Sequence, residues 1–106
     1  MTRGIMFVES RPESPERAAE FDAWYDVHIG EILSLDGFVA ARRYSVVGDD
    51  SFVAMYEIEG DDLDAVRARI GEARGRGEMT PPTALATDPP PVIRLLELIG
   101  EYGTLS

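Results

Sequence analysis

The apolar residues of this chain switch period in a fixed order, and that order limits the folds open to it. Gly4 to Glu9 opens with Ile5, Met6, Phe7 and Val8, apolar on both parities, as expected of a strand covered on both faces. From Ala18 to Leu35 the residues Phe21, Trp24, Tyr25, His28, Ile29, Ile32 and Leu33 recur at steps of three and four, a helical stripe. Phe38 to Val47 and Phe52 to Glu59 are rich in Val, Phe, Tyr and Ile, and Gly48-Asp49-Asp50-Ser51 links them in the pattern of a β-hairpin. A second helical stripe, Leu63, Val66, Ile70 and Ala73, follows Asp61 or Asp62 as its cap and ends among Gly71, Gly75 and Gly77. Val92 to Ile99 reads as a last strand, again apolar on both parities.

The order βαββαβ predicts an α+β fold, a ferredoxin-like four-stranded antiparallel sheet with two helices on one face. A chain of 106 residues with 44% hydrophobic content supports one domain, residues 1–106. Two helices cover only one side of such a sheet, yet its first and last strands are apolar on both. A second copy is the simplest cover, so a two-fold homodimer through the sheet faces is expected.

Three local features carry further expectations. Ser14-Pro15-Glu16 has the hydroxyl, proline and acid of a helix start. Gly30 costs about 1 kcal/mol in a helix interior and predicts a break near His28. Gly77 to Pro91 holds five of the seven prolines and no period, so it reads as a loop, a lid or a segment lying over a neighbour. In the hairpin, a turn at Asp49-Asp50 sets Arg43 opposite Tyr56 and Arg42 opposite Glu57. Val39, Ala41, Arg43, Ser45, Val47, Phe52, Ala54, Tyr56 and Ile58 then share the helix-packing face, a parity that any even loop preserves.

The net charge of −10 combines twenty acids with ten basic residues, all of them arginine. Such a field repels a nucleic-acid duplex and an anionic bilayer alike, so neither is expected as a partner. Without cysteine there is no disulfide, thiolate nucleophile or zinc–sulfur site. Met1 to Val8 is too short for a secretory apolar region, and no later stretch approaches a membrane span. A soluble cytoplasmic protein is the expectation.

His28 is the only histidine and lies beside the only tryptophan, Trp24, in the stripe of the first helix. Burial disfavours imidazolium, so His28 is expected to be neutral near pH 7 and able to accept a proton from a carbon acid or a phenol. If the first helix packs on the hairpin face, His28, Trp24 and Tyr25 look toward Arg43 and Tyr56. There Arg43 stabilises a developing oxyanion, Tyr25 or Tyr56 donates a hydrogen bond, Trp24 stacks on a flat ring and Glu31 orients the imidazole. The plain structural alternatives are a histidine satisfying a backbone group, a tryptophan that is only core, and an arginine paired with an acid such as Asp26. Asp61, Asp62 and Asp64 read as a helix cap and a solvated face. No metal site is expected, since such a cluster usually needs more than one imidazole.

The string Phe21-Asp22-Ala23-Trp24-Tyr25-Asp26-Val27-His28-Ile29, followed by Leu35-Asp36-Gly37-Phe38-Val39-Ala40-Ala41-Arg42-Arg43-Tyr44, resembles the dimeric α/β-barrel superfamily and, within it, the EthD-like group. The resemblance covers most of the first two-thirds of the chain and weakens after Gly60; Gly30 stands where such sequences often carry proline. It implies two ferredoxin-like chains closing a barrel, with a small-molecule cleft between each sheet and its own helices. It fixes no reaction. The reading that follows is a small enzyme, acting without cofactor on an aromatic or polyketide-like molecule as a cyclase, dehydratase, isomerase or monooxygenase. His28 and Arg43 are its catalytic candidates, and Trp24, Tyr25 and Tyr56 its substrate-binding ones. The competing reading is a non-catalytic dimeric binding or accessory protein with the same cleft. Haem handling through His28 is a weaker third, opposed by the acidic charge and the lack of lysine.

Overall fold

The computed structural model describes residues 1–103. It contains β1 (Thr2–Ser10), α1 (Ala18–Leu33), β2 (Phe38–Ser45), β3 (Phe52–Gly60), α2 (Leu63–Gly75) and β4 (Val92–Glu97), with a single 3-10 turn at Pro15–Arg17 leading into α1. The strands form one sheet in the order β2-β3-β1-β4, every neighbouring pair antiparallel. This is the ferredoxin-like βαββαβ arrangement, with both helices on one face.

Strand parity decides what each face carries. Met6 is paired with Tyr56 and Leu95, and Val8 with Ala54 and Ile93, so these side chains share the inner, helix-covered face. Met6, Ala54, Tyr56 and Ile58 are buried there against Phe21, Trp24, Tyr25 and Ile32 of α1 and Val66 and Ala73 of α2. The outer face carries Ile5, Phe7 and Met55 with Tyr44, Val92 and Leu96, and the last three stay 43–47% exposed.

The hairpin keeps the expected parity but not the expected register. Arg43 lies opposite Ala54 and Ala41 opposite Tyr56, a shift of two, and Arg42 lies opposite Met55 instead of Glu57. The cause is the connection: β2 stops at Ser45, the Val46 amide donates to the Ser51 carbonyl, and the Asp49 amide donates to the Val46 carbonyl, so the turn is centred on Gly48-Asp49, one residue earlier than expected. A bulge between Phe38 and Ala40 also turns Phe38 into the core and leaves Val39 54% exposed, reversing the expected placement of Val39. Val47, expected on the packed face, stands in the turn and is fully exposed.

α1 runs unbroken through Gly30. The stripe of buried side chains on both sides of the glycine supplies more than the roughly 1 kcal/mol it costs, so the expected break is absent. Nothing lies within 4 Å of a Cβ built on Gly30. Gly30→Ala is therefore expected to stabilise the fold by about 0.5–1 kcal/mol, read as a higher urea midpoint at unchanged slope.

Ser14 does not cap through its hydroxyl; its carbonyl accepts from the Arg17 amide instead. Asp62, not Asp61, caps α2 by accepting from the Asp64 amide at 3.0 Å. α2 ends in a Schellman turn, with Gly77 at φ +74°, its amide donating to the Arg74 carbonyl and the Glu78 amide to the Ala73 carbonyl. That turn throws the chain back over α1 as the proline-rich strap. Among the described residues no helix is long and apolar enough to cross a membrane.

Candidate functional site

A cavity of about 520 Å³ lies between α1, α2 and the inner face of the sheet. Trp24, Tyr25, His28 and Ile32 of α1 form one wall, Met6, Val8, Tyr56 and Ile93 of the strands its floor, and residues of α2 the opposite wall. Thr80, Pro82, Leu85 and Pro91 of the strap close over it. The helical spacing of the α1 residues is what brings them to one wall: 24, 28 and 32 follow one another at steps of four.

The strap is fastened at several points. The Trp24 indole Nε1–H donates to the Thr80 carbonyl at 3.2 Å. The Thr80 amide and hydroxyl both donate to the Glu31 carboxylate, at 3.0 and 2.7 Å, which holds that carboxyl below its ordinary range. Further along, Pro12 pairs with Leu85, the Glu13 amide donates to the Ala84 carbonyl and the Ala86 amide to that of Arg11. Ala84 is held there at φ +59°, a left-handed conformation unusual for a residue with a side chain. Glu31 is thus occupied by the strap and does not orient the imidazole as expected.

His28 stacks on Trp24 with ring centroids 4.4 Å apart and planes 20° from parallel, and it meets Tyr25 edge-on at 5.8 Å. Its Nδ1 is buried without a hydrogen-bond partner, so this nitrogen satisfies no backbone group. Burial is the main reason its pKa falls from 6.5 to about 4; Glu31 opposes the shift and Arg74 adds to it. At neutral pH the side chain is an uncharged imidazole.

The tyrosines are neutral as well. Burial pushes both phenols up; the Ser10 hydroxyl and the Arg43 charge partly offset this for Tyr25, and for Tyr56 only Arg43 does. The Tyr25 hydroxyl shares a buried hydrogen bond of 3.0 Å with Ser10.

The structure brings four of the five expected site residues together and leaves out the fifth. His28, Trp24, Tyr25 and Tyr56 all line the cavity, whereas Arg43 does not. Its guanidinium pairs with Asp22 at 3.0 Å and covers the Tyr25 ring at 4.6 Å and the Phe52 ring at 5.4 Å. The two-residue register shift places it over the first turns of α1, so it supports Tyr25 from outside the cavity. Its partner is Asp22, not Asp26.

Arg67 and Arg74 line the cavity instead, from α2. The sequence offered one signal for them, a spacing of seven that sets two cations on one helix face, but only the strap makes that face part of a site. Asp64 is the one carboxylate of the lining. No group of three or more metal-ligating side chains occurs among the described residues.

No family model matches the chain, and no curated protein matches it. Among solved structures, a protein of unknown function from Nitrosomonas europaea is similar over 100% of this chain and 98% of its own, with a TM-score of 0.60 and 14% sequence identity. At that identity the likeness speaks for the fold alone.

Proposed function

We propose that the cavity binds a planar, mostly apolar molecule of aromatic or polyketide type, and that His28 is the group that acts on it, without cofactor, by accepting a proton. The observation that carries this reading is a neutral imidazole stacked on an indole in the wall of a cavity large enough for a two- or three-ring compound. The imidazole would take a proton from an acidic C–H or phenol O–H of the ligand, and the phenols of Tyr25 and Tyr56 would donate to the resulting oxyanion. That step sets the reaction class as enolisation-driven cyclisation, dehydration or isomerisation, or oxygenation of a carbanion with dioxygen as co-substrate and oxidant. Arg43 stabilises Tyr25 in this account and takes no direct part.

Binding without turnover is the second reading, and one observation favours it. A pKa of about 4 makes His28 a weak base, well below the value suited to proton transfer at neutral pH.

In both readings the protein is an EthD-like dimeric α/β-barrel protein, two copies meeting through their outer sheet faces. Support comes from the resemblance in residues 21–44 and from the half-exposed Tyr44, Val92 and Leu96 on that face. Sedimentation is expected to give twice the 11.7 kDa mass of the chain, and a strictly monomeric protein at micromolar concentration would contradict the barrel.

Trp24 is the only tryptophan and lines the cavity, so its fluorescence reports occupancy directly. Planar two- and three-ring compounds are expected to change it saturably. His28→Phe is expected to retain binding and to abolish any turnover found. A panel that leaves the emission unchanged would remove the reading, and turnover that survives the substitution would remove His28 from it.

A further inference from the structure

We infer that the ligand of this cavity carries a carboxylate, held at the mouth by Arg67 and Arg74 of α2. This inference rests on the ligand-binding reading above and narrows its ligand to an aromatic acid.

Of the ten arginines, five form no ion pair among the described residues: Arg42, Arg67, Arg69, Arg74 and Arg94. Arg3, Arg11, Arg17, Arg43 and Arg76 each form an ion pair. Arg67 and Arg74 form none among the described residues, although both line the cavity. Of the nearby acids, Glu31 is committed to the strap through Thr80. Asp64, three residues before Arg67, lines the same cavity but makes no ion pair with it. What sets Arg67 and Arg74 apart from the other three is their place: two cations without an ion pair at the rim of a mostly apolar cavity form a recognition element for an anion. Guanidinium groups favour a planar carboxylate, which they grip through two hydrogen bonds.

Helix geometry makes the pair act on one ligand. Residues 67 and 74 are two turns apart, about 10 Å along the axis and on one face. Gly71 lies between them on that face, and nothing comes within 4 Å of a Cβ placed there, so the path between the arginines and the cavity is open. A ring system lying against Trp24 and His28 would present its carboxylate at this rim.

The same contact answers the weakness of His28 as a base. Arg74 is one of the charges that depress the His28 pKa. An anion docked on Arg74 offsets that charge and itself favours a nearby imidazolium, so a ligand bound as its carboxylate makes His28 more basic.

The test compares 2-naphthoate with its neutral isostere 2-naphthamide by calorimetry at pH 7. The full chain is used as wild type, as Arg67→Gln with Arg74→Gln, and as Gly71→Leu. Wild type is expected to bind the acid at least tenfold more tightly than the amide, with a preference that shrinks as salt is raised. The double arginine variant should lose that preference while still binding the amide, and Gly71→Leu should weaken both probes by filling the path. Equal affinity for both probes in wild type, or a preference that survives the double substitution, would overturn the carboxylate inference and leave the cavity reading standing. Failure of both probes to bind wild type would overturn both.

Discussion

Truncating Phe21 to alanine is expected to lower the free energy of unfolding by about 3–5 kcal/mol, the usual cost of emptying a fully buried aromatic site. Phe21 is completely buried, meets Tyr25 edge-to-face at 5.0 Å and lies 5.8 Å from Phe52. The Arg43 guanidinium stands 5.8 Å from the ring centroid on the same cluster. Two of these neighbours cannot collapse into the void without breaking another contact, because Tyr25 is tied to Ser10 and Arg43 to Asp22. A domain of this size has about 5–15 kcal/mol in total, so one substitution removes a large share of it. Tyr25 is also a wall of the cavity, and the variant should therefore bind ligands more weakly even where it remains folded. Urea denaturation checks the first part; a loss below about 1.5 kcal/mol would show that α1 does not pack on the sheet in this way.

A second large effect concerns acid. Above pH 6.5 His28 is uncharged in both the folded and the unfolded chain and contributes nothing to the pH dependence of stability. Between about 6.5 and 4 the unfolded chain binds a proton at His28 and the folded chain does not, so stability falls as the pH falls; below about 4 both forms carry the proton and the loss is complete. With allowance for solvent screening of a side chain that is only partly buried, the loss amounts to about 2 kcal/mol. His28→Phe keeps a flat ring against Trp24 and removes both the titration and the orphaned nitrogen. The variant should therefore match or exceed wild type at pH 7 and exceed it by about 2 kcal/mol more at pH 4. Apart from Glu31, whose pKa His28 lowers as the smallest of several causes, the carboxylates cancel in the difference. Identical pH profiles would show that His28 is exposed in the folded protein.

These expectations rest on features that differ in how far the sequence exposes them. The stripe of Phe21, Trp24, Tyr25, His28 and Ile32 is legible because helical periodicity is local, and the strand order follows from where that periodicity switches. Gly30 misleads because its intrinsic cost is small beside the burial on both sides of it. Arg43 is misplaced for a different reason: hairpin parity depends only on whether the loop is odd or even, whereas register depends on where the turn is centred, and a centre at Gly48-Asp49 instead of Asp49-Asp50 moved the arginine from Tyr56 to Ala54. Arg67 and Arg74 look like an ordinary solvated helix face until the strap folds over them. Its path is set by contacts between residues far apart in the chain, Thr80 with Glu31 and Leu85 with Pro12, which no local pattern encodes.

A protein of this kind joins a rigid half to a fastened one. The sheet and α1 hold the aromatic wall through buried packing, while the strap closes the cavity through hydrogen bonds to two α1 side chains, Trp24 and Glu31. Met79 and Ala84 of the strap are buried in the core and Leu85 packs against it, so the strap is anchored by apolar contacts as well, and the Trp24–Thr80 bond links occupancy to strap position.

The central claim is that His28 is an uncharged imidazole in the wall of the cavity, and an NMR titration of its ring tests that most directly, since no other histidine is present to confuse the signals. A titration midpoint well below 6.5, near 4, with the ring signals perturbed when 2-naphthoate or 2-naphthamide is added, is the predicted result. A midpoint at or above 6.5, unmoved by either compound, would place His28 in open solvent and contradict the account.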